Sequence, residues 1–184
     1  MKVKEIMVTA AELCGRQDLS DFLTGKNGAE AAQMRREEET LLRCYNLAEN
    51  EIALDYLPLR AEEEFLSDGT VLYGAFRVPP LEIVAVYAEN GARVRFVANA
   101  DGVRTPAGKV RIAYTYRPRV KTASDDAELC IKGDGRLLAL GTASEFALMS
   151  GMFDAASLLD RRYRDALACA CRERGGRLKM RCWV

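Results

Sequence analysis

Histidine is entirely absent from the 184 residues. That excludes Ser-His-Asp and Cys-His catalysis, imidazole-ligated zinc and histidine acid–base work together. Proline (5 residues) and glycine (14) are too few for a collagen-like or low-complexity chain. No excess charge of either sign exists: 27 basic residues balance 27 acidic ones, so net charge gives no general case for nucleic-acid binding. A long apolar run is also missing. The least polar stretch, Leu137 to Phe153, carries Glu145, Gly141, Thr142, Ser144 and Ser150, and is too polar and too short to span a membrane. Near the start, Lys2 and Lys4 lead into a segment that Glu5 and Glu12 interrupt, so no secretory signal is expected and the setting is read as cytoplasmic.

What is present is a globular composition, 49% hydrophobic and 29% charged. A chain of this size buries roughly 70% of its unfolded surface and needs no metal or disulfide to hold together. One domain, or one domain carrying an inserted module, is the expectation. The six cysteines are Cys14, Cys44, Cys130, Cys169, Cys171 and Cys182. The only close pair, Cys169 and Cys171, would point about 200° apart on a helix and cannot chelate one ion. They read as reduced thiols filling small spaces in a core. No cofactor and no metal are expected.

The hydrophobic period divides the chain into three blocks. Thr9-Ala10-Ala11-Glu12 fits a capping box and predicts a short helix to about Gly15, with Asp18 or Ser20 starting another before Gly25. From about Glu30 the residues are good helix formers. Leu41, Tyr45, Ala48, Ile52 and Tyr56 then mark one apolar face, with Arg43, Glu49 and Asn50 off it. Pro58 obliges that helix to stop by Leu57. Between Leu59 and Arg119 the period becomes two. Val71–Val78, Glu82–Tyr87, Val94–Val97 and Val110–Tyr116 read as strands, with a hairpin across Asn90-Gly91. Lys121 to Asp126 reads as a polar connector. Leu137 to Ser150 and a helix from Phe153, with Asp154 at its N-cap, return to helical spacing; Leu159, Tyr163, Ala166 and Ala170 form the second helix's buried face. The fold class is therefore α+β: a helical bundle from residues 1–58 and 119–176, an inserted antiparallel β module over 59–118, and a C-terminal arm over 177–184.

Most catalytic patterns fail on inspection. Gly25-Lys26 would need glycine at Ser20 and a hydroxyl at Asn27 to be a phosphate loop. Gly133-Asp134-Gly135 lacks the third glycine of a dinucleotide fingerprint. Glu37-Glu38-Glu39 reads as a solvated helix face, and Glu62-Glu63-Glu64 as charge on a sheet edge, because neighbouring residues diverge on either element. Asp125-Asp126 reads as solvation of the connector. Ser144 and Ser150 have no histidine partner, and the sequence identifies no buried lysine to activate them. No catalytic residue is assigned.

The C-terminal stretch stands apart. Arg172, Arg174, Arg177, Lys179 and Arg181 oppose only Glu173, while Leu178, Met180 and Trp183 supply apolar anchors. Arginine and tryptophan are enriched at binding hot spots. These eight basic and apolar residues are candidates for docking a partner; the competing reading is a frayed basic terminus.

The order of segments resembles a family. Val8-Thr9-Ala10-Ala11 leads to a long helix ending Ile52-Ala53-Leu54-Asp55-Tyr56-Leu57-Pro58. The strands Phe76–Val86 and Val110–Tyr116 come next, then Leu138–Leu148 with Gly151-Met152-Phe153-Asp154-Ala155-Ala156, Tyr163–Leu167, and Met180-Arg181-Cys182-Trp183. This arrangement is similar to that of the head–tail connector, or adaptor, proteins of tailed bacteriophages and prophages, including tail-tubular and gatekeeper-type ring proteins. The resemblance implies a structural virion protein rather than an enzyme. Its partners would be the portal protein, copies of itself in a ring, usually dodecameric, and a tail or nozzle protein. DNA would pass through the channel without specific contact. Its place would be the host cytoplasm during assembly and the virion neck afterwards, with no membrane. Two rivals stand beside it: a tail-completion or tail-terminator ring protein with a more strand-dominated core, and an enzyme or small-molecule binder using carboxylates and arginine alone.

Overall fold

A computed structural model describes residues 1–26, 31–129 and 135–173. The chain divides into two compact units, Met1–Leu57 with Pro118–Val184, and Pro58–Arg117. The first is helical and the second an antiparallel β structure, so the α+β class read from the change of period holds.

In the helical unit, α1 (Val3–Leu13) is followed by α2 (Gln17–Thr24), α3 (Ala31–Glu51), a π-helical turn (Ile52–Tyr56), α4 (Arg136–Met149) and α5 (Phe153–Glu173). Helix α4 packs against α1, α3 and α5. That position explains its composition, because every residue from Leu137 to Ser144 is buried. Gly141 makes the crossing possible: a Cβ there would lie 3.0 Å from the Tyr163 ring and 3.1 Å from the Ala48 Cβ. On α3 the residues Leu41, Tyr45, Ala48 and Ile52 are buried, as their spacing requires.

Helix α1 begins six residues before the expected cap. Thr9 lies inside the helix, its hydroxyl donating to the Glu5 carbonyl at 3.1 Å. The first-turn N–H groups are instead satisfied from far along the chain: Val3 N donates to the Asp125 carbonyl at 3.0 Å and Lys4 N to that of Ala123 at 3.1 Å. The segment from Lys121 to Asp126 is thus a capping turn rather than a solvated connector. Asp125 shapes it by accepting from Thr122 N at 2.8 Å and from the Thr122 hydroxyl at 2.9 Å. Asp126 pins it through Lys2 Nζ at 2.9 Å. Other local expectations also shift. Phe153 is already helical, so Asp154 sits in the first turn of α5 and not at its N-cap. Glu37, expected to face solvent, reaches Arg16, which also holds Asp18 at 2.7 Å. Glu49, expected off the buried face, is 1% exposed.

The β unit holds two sheets rather than one. β1 (Leu59–Ser67), β7 (Gly108–Tyr116), β3 (Pro80–Ala88) and β4 (Arg93–Val94) form an antiparallel sheet in that spatial order; β2 (Thr70–Leu72), β6 (Gly102–Arg104) and β5 (Val97–Ala98) form the other. Asn90-Gly91 closes the β3–β4 hairpin with Gly91 at φ +78°, which L side chains rarely adopt. Val71–Val78 is not one strand: after Leu72 the chain enters a 3₁₀ turn, Tyr73–Ala75. Val94 and Val97 belong to different sheets. β1, which carries Glu62-Glu63-Glu64, is an edge strand, as expected from reading that run as charge on a sheet edge, and its side chains from Leu59 to Leu66 alternate between half-buried and exposed. Its core neighbours are aromatic: Phe76 lies 4.7 Å from Phe65 and edge-on to Tyr114 at 5.0 Å between ring centroids.

Candidate functional site

The docking residues singled out in the sequence cannot be placed. Arg174, Arg177, Leu178, Lys179, Met180, Arg181 and Trp183 lie outside the described residues, as does the Arg172 side chain. Three other features of the described residues carry polar or exposed apolar chemistry.

The first is a buried polar cluster around Glu49 of α3. Its Oε1 accepts the Tyr45 hydroxyl at 3.0 Å, Glu128 N at 3.0 Å and Leu129 N at 3.4 Å. Asn46, one residue after Tyr45, holds Lys121 at both backbone positions: Lys121 N donates to Asn46 Oδ1 at 2.7 Å, and Asn46 Nδ2 donates to the Lys121 carbonyl at 3.1 Å. The Lys121 ammonium is therefore turned inward, where it pairs with Glu128. This is the buried lysine that the sequence did not reveal, its side chain 1% exposed. Neither Glu49 Oε2 nor Glu128 Oε2 has a hydrogen-bond partner among the described residues. The Lys121 ammonium is buried and committed to a carboxylate, so the work of the cluster is structural.

The second is a groove of about 420 Å³ lined by α3–α5 and the π turn: Glu51, Tyr56, Gly141, Ser144, Glu145, Asp160, Tyr163, Arg164 and Leu167. Asp160 and Arg164 pair across one helical turn, Nη2 to Oδ2 at 2.6 Å. The Tyr163 hydroxyl lies 3.5 Å from Glu51 Oε2. Burial pushes the Tyr163 pKa up, and Glu51 beside it pushes it further, so this phenol stays protonated. Sequence spacing could not assemble the groove because its carboxylates come from three separate segments. One signal was available: Glu145 is the single carboxylate interrupting the Leu137–Phe153 run.

The third is an apolar corner where α4 meets α5. Leu148, Met149 and Phe153 are 52%, 57% and 69% exposed. Met149 Sδ touches Cys44 Sγ of α3 at 3.4 Å, so the corner rests on the bundle.

In the β unit, Glu63 accepts Arg77 N at 3.1 Å and the Tyr114 hydroxyl. Burial raises the Tyr114 pKa to about 12, with the Glu63 carboxylate adding to the shift. This too is a structural tie across β1 and β7. Among the described residues no group of three or more Cys, Asp or Glu is placed to hold a metal ion, and no helix is long and apolar enough to cross a membrane. The chain matches no protein-family model and no curated protein.

Proposed function

We propose that this chain is a structural subunit of a phage or prophage head–tail connector ring, joining the portal to the tail and lining the DNA channel. The observation that carries the reading is the α4–α5 corner. Large exposed side chains grouped as Leu148, Met149 and Phe153 suit a subunit contact better than a solvated surface. A ring repeats one heterologous contact around an axis, so one such corner per subunit, meeting a different surface on the next, is what closure needs. The helix-rich unit favours an adaptor over a strand-dominated tail terminator. No enzymatic activity is part of this reading. In it, residues 177–184 form an arm that docks on the portal, with Trp183 as the anchor and Arg177, Lys179 and Arg181 at the rim.

The test is to mix the purified protein with its own portal and image the product. A ring seated on the portal supports the adaptor; a correctly folded protein that never binds its portal defeats it. Deleting residues 177–184 separates the arm from the bundle: the arm reading requires an unchanged melting temperature with loss of portal binding. A truncated chain that still assembles, or that no longer folds, overturns the arm.

A further inference from the structure

The four-stranded sheet of the β unit ends in two edges of opposite charge. At one edge is β1, where Glu62 and Glu64 are exposed on either side of half-buried Glu63. At the other is β4, where Arg93 and the following Arg95 are exposed on either side of half-buried Val94. The register relates the two. Glu63, Ile112, Val86 and Val94 lie opposite one another across the sheet, and Ile112 and Val86 belong to its core. Their sequence neighbours therefore point to the other face, where one row runs Glu64, Arg111, Tyr87, Arg93. Arg111 serves the interior of that row: its guanidinium carbon lies 5.3 Å from the Tyr87 ring centroid, and its Nε 3.5 Å from Glu62 Oε2. The ends, Glu64 and Arg93, stand three strand spacings apart, about 14 Å, and cannot pair within one chain.

Both edges also offer main-chain groups. Ala88 N donates to the Ala92 carbonyl at 2.9 Å, which makes Ala88 and Ala92 a hydrogen-bonded pair. By the alternation of an antiparallel ladder, Val94 turns its N–H and C=O to β3, and Arg93 turns its own outward. β1 is nine residues long and lies beside β7 alone in its sheet, so every second residue does the same. Such a row of donors and acceptors is a template for another strand.

Direction and charge both select that strand. The order β1, β7, β3, β4 is antiparallel throughout, so the first and last of the four run oppositely. A second copy in the same orientation thus brings its β1 antiparallel to β4, and the ladder continues. With the second copy's Glu64 opposite Arg93, antiparallel register sets its Glu62 opposite Arg95. Pairing β1 with β1 fails on charge, because each Glu62-Glu63-Glu64 run would face the other. One glutamate run forbids the symmetric contact and favours the head-to-tail one.

We propose that copies of this chain join head to tail through the β unit, β4 of one pairing antiparallel with β1 of the next in one continuous sheet. The contact is heterologous, so its repetition closes a ring or grows a filament. The proposal deepens the ring reading by naming a subunit contact, and rests on that reading only for closure; the contact itself needs no portal.

Sedimentation velocity of the full-length chain across a concentration series is the first test. The expected result is self-association that weakens as sodium chloride rises, because the charge pairs lie at exposed edges. A chain that stays monomeric at its highest soluble concentration overturns the proposal. Glu62→Arg with Glu64→Arg, and separately Arg93→Glu with Arg95→Glu, should each weaken association about ten- to a hundredfold, two favourable pairs having become repulsive. Mixing the two variants should restore it, which a loss of folding could not do. Variants that associate like wild type, or folded variants whose mixture does not recover, overturn the pairing. Hydrogen exchange on the wild-type chain needs no variant: association should slow exchange in Leu59–Ser67 and at Arg93, and association that leaves these amides unprotected overturns the edge contact. Portal binding is measured separately, so a chain that associates through these edges yet never binds its portal loses the connector reading alone.

Discussion

Glu49 Oε1 accepts the backbone N–H of Glu128 at 3.0 Å, joining positions 79 residues apart in sequence within one buried cluster. The same oxygen takes the Tyr45 hydroxyl and Leu129 N, so three donors depend on one carboxylate. Glu49→Ala removes the acceptor that all three share, and we expect a loss of about 3 kcal/mol, since a buried donor that loses its acceptor costs about 1–3 kcal/mol. Glu49→Gln keeps an acceptor oxygen and should lose about 1 kcal/mol. Urea denaturation separates the two; equal losses would show that the oxygen is not the reason.

Lys121 makes the complementary case. Its side chain is 1% exposed and its ammonium pairs with the Glu128 carboxylate, which is a quarter exposed and otherwise has only Arg119 at 3.9 Å, so removing Lys121 takes away the close partner of Glu128. Lys121→Met should destabilise by about 3 kcal/mol. Adding Glu128→Gln should recover part of that, because the second change removes the charge left without its close partner. A double variant no more stable than Lys121→Met alone refutes the coupling.

The stripe Leu41, Tyr45, Ala48 and Ile52 was legible because burial of one helix face leaves a period in the sequence. The cap of α1 was not, because the acceptors are the main-chain carbonyls of Ala123 and Asp125, which no residue type announces. Glu62-Glu63-Glu64 announced a sheet edge, but not the span of β1 or its pairing with β7, which sets Glu63 opposite Ile112 and within reach of the Tyr114 hydroxyl two residues on. The groove was illegible for a different reason. Glu51, Glu145 and Asp160 converge only when α3, α4 and α5 pack, and Gly141, which permits that crossing, carries no chemistry of its own.

The thiols should separate by environment. Burial raises the Cys44 pKa to about 12 and the Cys14 pKa to about 11, while Cys169 is exposed. At pH 8 peptide-resolved alkylation should label Cys169 readily in the native protein and spare Cys14 and Cys44 until it unfolds. Stability changes with pH in a definite direction. Unfolded thiols ionise near pH 9 whereas these two stay protonated when folded, so their contribution is complete below pH 9 and declines as pH rises toward 11–12. Fast native labelling of Cys44 contradicts the burial.

Acid should expose the α1 capping turn. The hydrogen bond from Lys2 holds the Asp126 carboxyl below its usual range. A depressed carboxylate stabilises the fold above its unfolded pKa, near 3.8, and loses that contribution as pH falls through the folded value. Asp126→Asn should therefore melt lower than wild type at pH 6, with the gap closing by pH 2. A gap that persists unchanged in acid rules out the carboxylate as its source.

The β unit offers a test by geometry alone. Gly102 in β6 faces β2 so closely that a Cβ would lie 2.5 Å from the Val71 carbonyl oxygen and 2.9 Å from the Leu72 Cα, both backbone atoms that cannot swing away. Gly102→Ala must push the two strands apart, and we expect a cost of about 2–3 kcal/mol, the upper part of the range for overpacked sites. Gly108 is the control. It has open space around its Cβ position but a φ of +112°, so Gly108→Ala meets backbone strain without a clash and should cost about 1 kcal/mol. Hydrogen exchange distinguishes the mechanisms: the Gly102 variant should lose protection in Thr70–Leu72 and Gly102–Arg104, where the pairing is Leu72 with Gly102 and Val71 with Val103. The Gly108 variant should keep it. Intact protection of the β2–β6 pair in Gly102→Ala would mean that the strands accommodate a methyl group the close approach forbids.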